Sequence, residues 1–255
     1  MAILDLLLSL LYPPRCPSCA RELRRNPALG LCRGCLADLG AVPAGCARCG
    51  EPGHDALCAD CRRTPPAFRC ARACFLYREG ALSSAIVARW KYRRDHVLGG
   101  GLAKLFAAHR QRYDECYDVL VPVPLHASRL AARGFNQAVL LARAARRPGE
   151  RVLTQALRRA TRTPAQASLG RGARSSNVRA AFVTSDPAAL DGRSVLLIDD
   201  VLTTGATARA CASVLRAAGS GVVDVLTLAR TPRPLSRAFA ADLAPARAQQ
   251  SDERA

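Results

Sequence analysis

Between about Phe68 and Arg230 the chain alternates short apolar runs with stretches in which apolar residues recur every three or four positions. The runs predict strands over RCARACFLY (69–77), DVLVPVP (118–124), VLLID (195–199) and VVDVLTLAR (222–230). The helical spacing predicts helices over LSSAIVARWKY (82–92), RLAARGFNQAVLLARAA (129–145) and ATARACASVLRAAG (206–219). In the last, Cys211, Val214, Leu215 and Ala218 share one face, and Gly219 suits a left-handed C-terminal cap. VLLI shows no polar alternation, as expected of a central parallel strand covered on both faces. Strands alternating with helices imply an α/β fold: a parallel sheet with flanking helices.

The first 66 residues have a different texture. CPSC, CRGC, CARC and CADC give four C-x-x-C pairs: Cys16/Cys19, Cys32/Cys35, Cys46/Cys49 and Cys58/Cys61. Pro and Gly punctuate them and large apolar residues are few, so this segment is too poor to bury a core of its own and metal must hold it together. Tetrahedral zinc takes four thiolates, and a C-x-x-C turn delivers two from one tight loop. Eight thiolates therefore make two closed structural Zn2+ sites, a double zinc ribbon. Sequential pairing, with Cys16, Cys19, Cys32 and Cys35 on one ion and Cys46, Cys49, Cys58 and Cys61 on the other, is favoured by the short intervals between turns; interleaved pairing also fits. His54 reads as a surface residue, Cys70 and Cys74 as strand residues, and Cys116 and Cys211 as buried small hydrophobes.

Composition sharpens this picture. The chain has 255 residues, 49% of them hydrophobic, and a formal charge of +18. That length suits one full-sized α/β domain plus something smaller. The expected division is 1–66 for the N-terminal segment and ribbon, 67–235 for the α/β domain and 236–255 for a poorly ordered tail. Only Lys91 and Lys104 are lysines, so arginine carries the positive charge. A coding bias explains such a skew; so does a phosphate-bearing partner, because the Arg fork matches phosphate oxygens bidentately. The opening MAILDLLLSLLYPP lacks a basic start, carries Asp5 and offers no cleavage site before Pro13 and Pro14. It is also shorter than the roughly 20 residues needed to cross a bilayer. It reads as a short helix packed on the protein or in a partner's groove. With no transmembrane segment, a cytoplasmic protein is expected.

The candidate chemistry lies in VLLIDDVLTTGAT (195–207). Asp199 and Asp200 fall at the C-terminal end of a strand, where open α/β sheets bind their ligands. The following loop, Thr203, Thr204, Gly205, Ala206 and Thr207, precedes a helix, whose free N–H groups and dipole favour a phosphate. Carboxylates accept hydrogen bonds from vicinal hydroxyls, so the pair and the loop together describe a sugar phosphate site. No G-x-x-x-x-G-K-[ST] or G-x-G-x-x-G occurs, and GGGLAKLF (99–106) has the wrong spacing for a P-loop.

VLLIDDVLTTGAT resembles the signature of type I phosphoribosyltransferases, which bind 5-phosphoribosyl 1-diphosphate (PRPP). The order of a double zinc ribbon, PVPLHASRLAARGFNQA (122–138), RTPAQASLGRGARSSNV (162–178) and DDVLTTGAT further resembles the ComF family of competence-type proteins, over roughly Leu11 to Arg230. The resemblance implies that Asp199 and Asp200 contact the ribose hydroxyls and that Thr203–Thr207 holds the 5′-phosphate. It also implies a diphosphate loop at Leu125 and His126, helped by Arg129 and Arg133 in the RGFNQ hallmark. Residues 161–178 correspond to a flexible hood, with Arg162, Gln166, Arg171, Arg174 and Asn177 as candidate contacts; Arg162 and Arg174 are the candidate catalytic arginines. Lys91, in WKYRRD, is a further candidate phosphate contact.

In such a reaction a nucleophile attacks C1 of the ribose and diphosphate leaves, with Mg2+ bound alongside PRPP. Purine-salvage relatives carry an acid at the position of Thr203, so this chain departs from them. Two function classes stay open. One is a phosphoribosyltransferase acting on an acceptor that no residue identifies. The other is a PRPP-sensing or single-stranded-DNA-handling protein in the DNA-uptake machinery, the role that the competence resemblance implies.

Overall fold

A computed structural model of the chain describes residues 15–16, 18–23, 31–93, 95–159 and 181–233. In chain order these form α1 (Arg33–Asp38), α2 (Ala59–Arg63), β1 (Ala71–Leu76), α3 (Leu82–Arg93), α4 (His96–Arg110), β2 (Val119–Pro122), α5 (Ala127–Arg133) and α6 (Gln137–Ala145). They continue with β3 (Arg151–Val152), β4 (Leu157–Arg159), β5 (Phe182–Thr184), β6 (Val195–Leu202), α7 (Ala206–Ala217) and β7 (Val223–Arg230). Five strands make one parallel sheet in the order β1-β7-β6-β2-β3, while β4 and β5 pair antiparallel. No described helix is long and apolar enough to cross a membrane.

The unbroken apolar run of β6 has the reason expected of it: both faces are covered. Val195 and Leu197 point to one face with Val119, Val121, Val223 and Val225, under Ala208, Cys211, Ala212 and Leu215 of α7. Leu196 and Ile198 point to the other with Leu120, Leu226 and Leu228, under Trp90 of α3, Leu102 and Phe106 of α4, and Leu141 of α6. Fully burying side chains of this size contributes roughly 1.5–3 kcal/mol each before the entropy cost of ordering them. Helix α7 ends as predicted: the Ser220 N–H reaches the Leu215 carbonyl at 3.2 Å and the Gly219 N–H that of Arg216 at 3.1 Å.

Two expectations need correction, and one element was not expected. The single helix expected over 129–145 is two. Gly134, at φ 78°, closes α5, and Asn136 starts α6 by accepting from the Ala138 N–H at 2.9 Å. Cys116 is exposed rather than buried, because it precedes β2 in a surface turn; Cys211 is fully buried as expected. The hairpin β4–β5 was not legible, since three residues are too few to show a period. It brackets residues 160–180, so the chain segment expected to form the hood leaves from and returns to one antiparallel pair. Cys74 lies on β1 and Cys70 just before it, both half-buried, and GGGLAKLF lies within α4.

The described ribbon residues pack into the cores of the sheet. Cys16, Leu23, Leu31, Cys35 and Leu39 belong to the cluster that includes Phe75 and α3, whereas Cys46, Cys49, Cys58 and Cys61 join Phe68 and the opposite face of the sheet. Arginines from the α/β part fasten the second half. Arg230, 3% exposed, donates to the Cys49 carbonyl at 2.6 Å and pairs with Glu51, itself 2% exposed. Arg233 pairs with Asp60, its N–H reaching Glu51 at 2.8 Å. Arg209 donates to the Thr64 carbonyl at 2.7 Å and to the Cys61 sulfur at 3.6 Å.

The two knuckle turns repeat one backbone pattern. In the first, the Cys16 N–H bonds the Arg21 carbonyl and the Ala20 N–H the Cys16 carbonyl, each at 2.8 Å; in the second, Cys46 pairs with Glu51 and Gly50 with Cys46 at the same distances. The residue after the second cysteine sits in the left-handed region in both, Gly50 at φ 70° and Ala20 at φ 58°. A side chain there costs about 1–2 kcal/mol per residue. Ala20→Gly is therefore expected to raise stability by up to about 1 kcal/mol once the entropy of the unfolded glycine is offset, seen as a higher denaturation midpoint. Arg230→Met strands the buried Glu51 carboxylate beside Arg233 alone and is expected to cost about 3 kcal/mol. Urea unfolding checks this, and adding Glu51→Gln should recover part of the loss.

Candidate functional site

The eight thiolates gather into two sets, Cys16, Cys19, Cys32 and Cys35, and Cys46, Cys49, Cys58 and Cys61, the sulfurs of each lying within 4.8 Å of one another. The pairing is sequential. Cys19 and Cys32 sulfurs lie 3.6 Å apart and those of Cys49 and Cys58 3.7 Å apart, near the roughly 3.8 Å edge of a tetrahedron with zinc–sulfur bonds of about 2.3 Å. In each set a knuckle turn meets a helix start, α1 at Cys32 and α2 at Cys58. Backbone N–H groups support the sulfurs: Cys32 to Cys16 at 3.5 Å, Cys58 to Cys46 at 3.3 Å. Burial pushes the Cys16 and Cys46 thiols up, but backbone N–H groups, those of Cys32 and Cys58 among them, outweigh it and bring both down to about 6; burial holds Cys35 up at about 12 and raises Cys49 and Cys61. The donor set fits Zn2+ in closed, structural sites. His54 is half-buried and belongs to neither set.

The second site lies where the sheet changes direction. From β2 the chain crosses to the edge strand β3, and from β6 to β7 on the other side, so the C-terminal ends of β2 and β6 diverge into a crevice. Their pairing runs only to Pro122 opposite Ile198, closed by the Val123 N–H on the Ile198 carbonyl at 2.8 Å. Beyond that point β6 continues alone beside β7, and the first two residues it frees on the β2 side are Asp199 and Asp200.

Both carboxylates are half-buried, and the Asp199 carboxylate accepts from the Asp200 N–H at 2.8 Å. Burial first, and the Asp200 charge second, push Asp199 well above the usual carboxylate range, to about 7, although this N–H and the Lys91 ammonium pull the other way. The ammonium belongs to α3: Lys91 Nζ stands 2.8 Å from Asp200 Oδ2. Its neighbours reach across the crevice, Trp90 packing on Phe135 with ring centroids 6.3 Å apart and Tyr92 lying 5.4 Å below the Arg133 guanidinium. Sequence reasoning saw Lys91 only as a phosphate contact; its rarity in an Arg-rich chain was the available signal.

After β6, Thr203 and Thr204 are exposed and Gly205 is the residue before α7. Gly205 has φ 77°, a left-handed conformation that only glycine adopts without strain, and it turns the chain into α7, whose Ala206 N–H lies 3.4 Å from the Thr204 hydroxyl. Ala206 and Thr207 belong to the first turn of that helix. On the facing strand, Val123 and Pro124 lead to Leu125 and His126, both half-buried. His126 caps α5, its Nδ1 meeting the Ser128 N–H at 3.2 Å, and Asn136 ties α6 back by donating to the Val123 carbonyl at 3.0 Å. Arg129 is exposed on α5; Arg133 reaches the Gln137 amide oxygen at 3.3 Å. The structure thus gathers Asp199, Asp200, the Thr203–Thr207 turn and Lys91 around the end of β6, with the 125–133 turn following β2. Arg162, Gln166, Arg171, Arg174 and Asn177 lie outside the described residues, as does the N-terminal apolar segment.

Comparison with known proteins agrees with this arrangement. Residues 7–62 match the double zinc ribbon domain and residues 96–239 the phosphoribosyl transferase domain. DNA utilization protein YhgH of Salmonella typhi is 31% identical over 224 residues, covering 85% of this chain and 90% of that protein. Competence protein F of Haemophilus influenzae is 29% identical over 230 residues, 85% of this chain and 96% of that one. Competence protein ComFC of Bacillus subtilis is 29% identical over 216 residues, 81% and 86% respectively. With both parts of the sequence matched to those domains, and the likeness maintained along nearly the whole of each relative, the chain belongs to the ComF family of double-zinc-ribbon, phosphoribosyltransferase-type proteins.

Proposed function

We propose that the protein binds PRPP in the crevice between β2 and β6 and acts in the cytoplasm in a step of DNA uptake; relatives named for competence and for DNA utilization support that role. One observation carries the reading: a single strand–turn–helix unit, 199–207, places two acceptor-only carboxylates next to a helix N-terminus opened by Gly205. That sequence of groups matches the sequence of groups on a ribose 5-phosphate. Asp199 and Asp200 accept from the vicinal hydroxyls. The N–H groups and hydroxyls of Thr203–Thr207 receive the 5′-phosphate. The 1-diphosphate then points to the β2 side, where Leu125 and His126 offer backbone and Arg129 and Arg133 offer charge.

In a transfer reaction the C1–oxygen bond breaks, the diphosphate leaves with the electron pair, and positive charge develops on the sugar above the carboxylate pair. Asp199 and Asp200 stabilise that charge without forming a bond to it. Carboxylates beside diphosphate and ribose oxygens make an all-oxygen environment that fits Mg2+, which when bound neutralises the leaving group. Arg162 and Arg174, the candidate catalytic arginines, lie outside the described residues. The Thr203 side chain supplies a hydroxyl where purine-salvage enzymes carry an acid, which disfavours a purine acceptor. Residues 1–66 serve as a zinc-held support for the transferase-type domain at 67–235, with Arg209 joining the second metal set to the first turns of α7.

Isothermal calorimetry with PRPP and Mg2+ tests the site directly. Binding is expected for the wild type, and a weakening of at least tenfold for Asp199→Asn with Asp200→Asn; heat that survives in the double variant would place the ligand elsewhere. Gly205→Ala is expected to cost about 1–2 kcal/mol of stability through its left-handed φ and to weaken PRPP binding by misdirecting the N–H groups of α7. The raised Asp199 sets a pH dependence. As an acid held above its ordinary value, it contributes stability that is full at low pH and lost as pH rises through about 7. PRPP needs the carboxylate form, so affinity is expected to rise between pH 6 and pH 8. Asp199→Asn should flatten that profile and stabilise the free protein at pH 8, on the order of 1 kcal/mol.

A further inference from the structure

We propose that Lys91 is a latch that makes the site select diphosphate-bearing ligands over ribose 5-phosphate. The inference rests on the PRPP reading of the same crevice. In the free protein the ammonium sits 2.8 Å from Asp200 Oδ2, with the two side chains only 16% and 14% exposed, so the acceptor meant for a ribose hydroxyl is already taken. A sugar entering the site must compete with that ion pair. Ribose 5-phosphate brings hydroxyls and one phosphate, which goes to the Thr203–Thr207 turn, and leaves the displaced ammonium without an anion.

PRPP brings a second anion to the opposite wall. Lys91 is placed to reach it. Trp90 packs on Phe135 and Tyr92 lies against the Arg133 guanidinium, so the turn of α3 that carries Lys91 is wedged between the acid pair and the α5–α6 corner that follows the 123–126 loop. One flexible four-carbon stem therefore spans two anions at successive stages: the carboxylate when the site is empty and the diphosphate when it is loaded.

The residue type fits a latch. The chain uses arginine almost everywhere, yet the acid pair is met by one of only two lysines. A guanidinium would grip Asp199 or Asp200 bidentately and hold it in a fixed geometry; an ammonium is a point charge with one contact that can leave.

Calorimetry on the full-length protein in Mg2+, with PRPP and ribose 5-phosphate as separate probes, tests this. Lys91→Met is expected to shift the two affinities in opposite directions: ribose 5-phosphate several-fold tighter because the latch is gone, PRPP about tenfold weaker because its diphosphate has lost a partner. Lys91→Arg is expected to weaken both. Lys91→Gln, which keeps a polar head without charge, must repeat the opposite shifts of Lys91→Met. Zinc content of two per chain and a single cooperative unfolding transition establish that the variants are folded. If Lys91→Met and Lys91→Gln weaken both ligands together, Lys91 is an ordinary phosphate contact and the latch is overturned; if neither affinity moves, its pair with Asp200 has no bearing on binding, and the latch is again overturned. A wild type that binds neither probe removes the PRPP reading itself, and the inference with it.

Discussion

Two carboxylates on adjacent residues at the end of a buried strand repel each other, and much of the site is an answer to that repulsion. The four residues before Asp199 are nearly or fully buried, so the pair emerges from low dielectric where like charges interact strongly and water helps little. The protein meets this in three ways: Asp199 holds its proton up to about pH 7, the Asp200 N–H turns back on its carboxylate, and Lys91 brings a cation from α3. A single carboxylate would be easier to bury. Keeping two makes sense for a ligand with two neighbouring hydroxyls, whose arrival replaces a strained set of contacts with a satisfied one. The divergence of β2 from β6 after Pro122 is what leaves the pair open on one side.

The large arginine excess divides into two uses. Part of it is structural: Arg110 and Arg230 are 2% and 3% exposed, each holding a buried glutamate, and Arg147 collects the carbonyls of Arg110, Tyr113 and Glu115. Arg209, Arg230 and Arg233 tie the second cysteine set to α7 and the end of β7. A guanidinium suits this work because five donors in a rigid plane can satisfy several carbonyls at once. By the crevice, Arg129 is exposed on α5, and Arg133 bonds the Gln137 amide and stacks on Tyr92. The basic charge is thus partly internal scaffolding, and counting it all as ligand-binding surface would overstate it.

That same docking explains why a ribbon poor in apolar residues is ordered. Its cysteines, with metal between them, become part of the two cores that cover the sheet, one set on each face. The first knuckle has Ala20 where the second has Gly50, and among the described residues the second is the one fastened through its sulfurs and carbonyls by arginines of the α/β part.

Local patterns settled a good deal of the protein: the run VLLI as a doubly covered strand, α7 and its cap, the four C-x-x-C turns, and the acid pair followed by Thr-Thr-Gly, because each is written in consecutive residues whose spacing matches a backbone period or a ligand geometry. Gly134 and Asn136 were visible too, but their power to split one helix into two depends on Asn136 finding the Val123 carbonyl on another strand. What the linear order left open is whatever joins distant residues. Sequential rather than interleaved cysteine sets, the exposure of Cys116, the arginine fastenings and the pair between Lys91 and Asp200 all follow from which surfaces the strand order brings together. Residue type and spacing determined the chemistry on offer; the packing of β2, β6 and α3 decided which of those groups meet, because only a folded sheet can hold an ammonium and a carboxylate over a hundred residues apart at hydrogen-bonding distance.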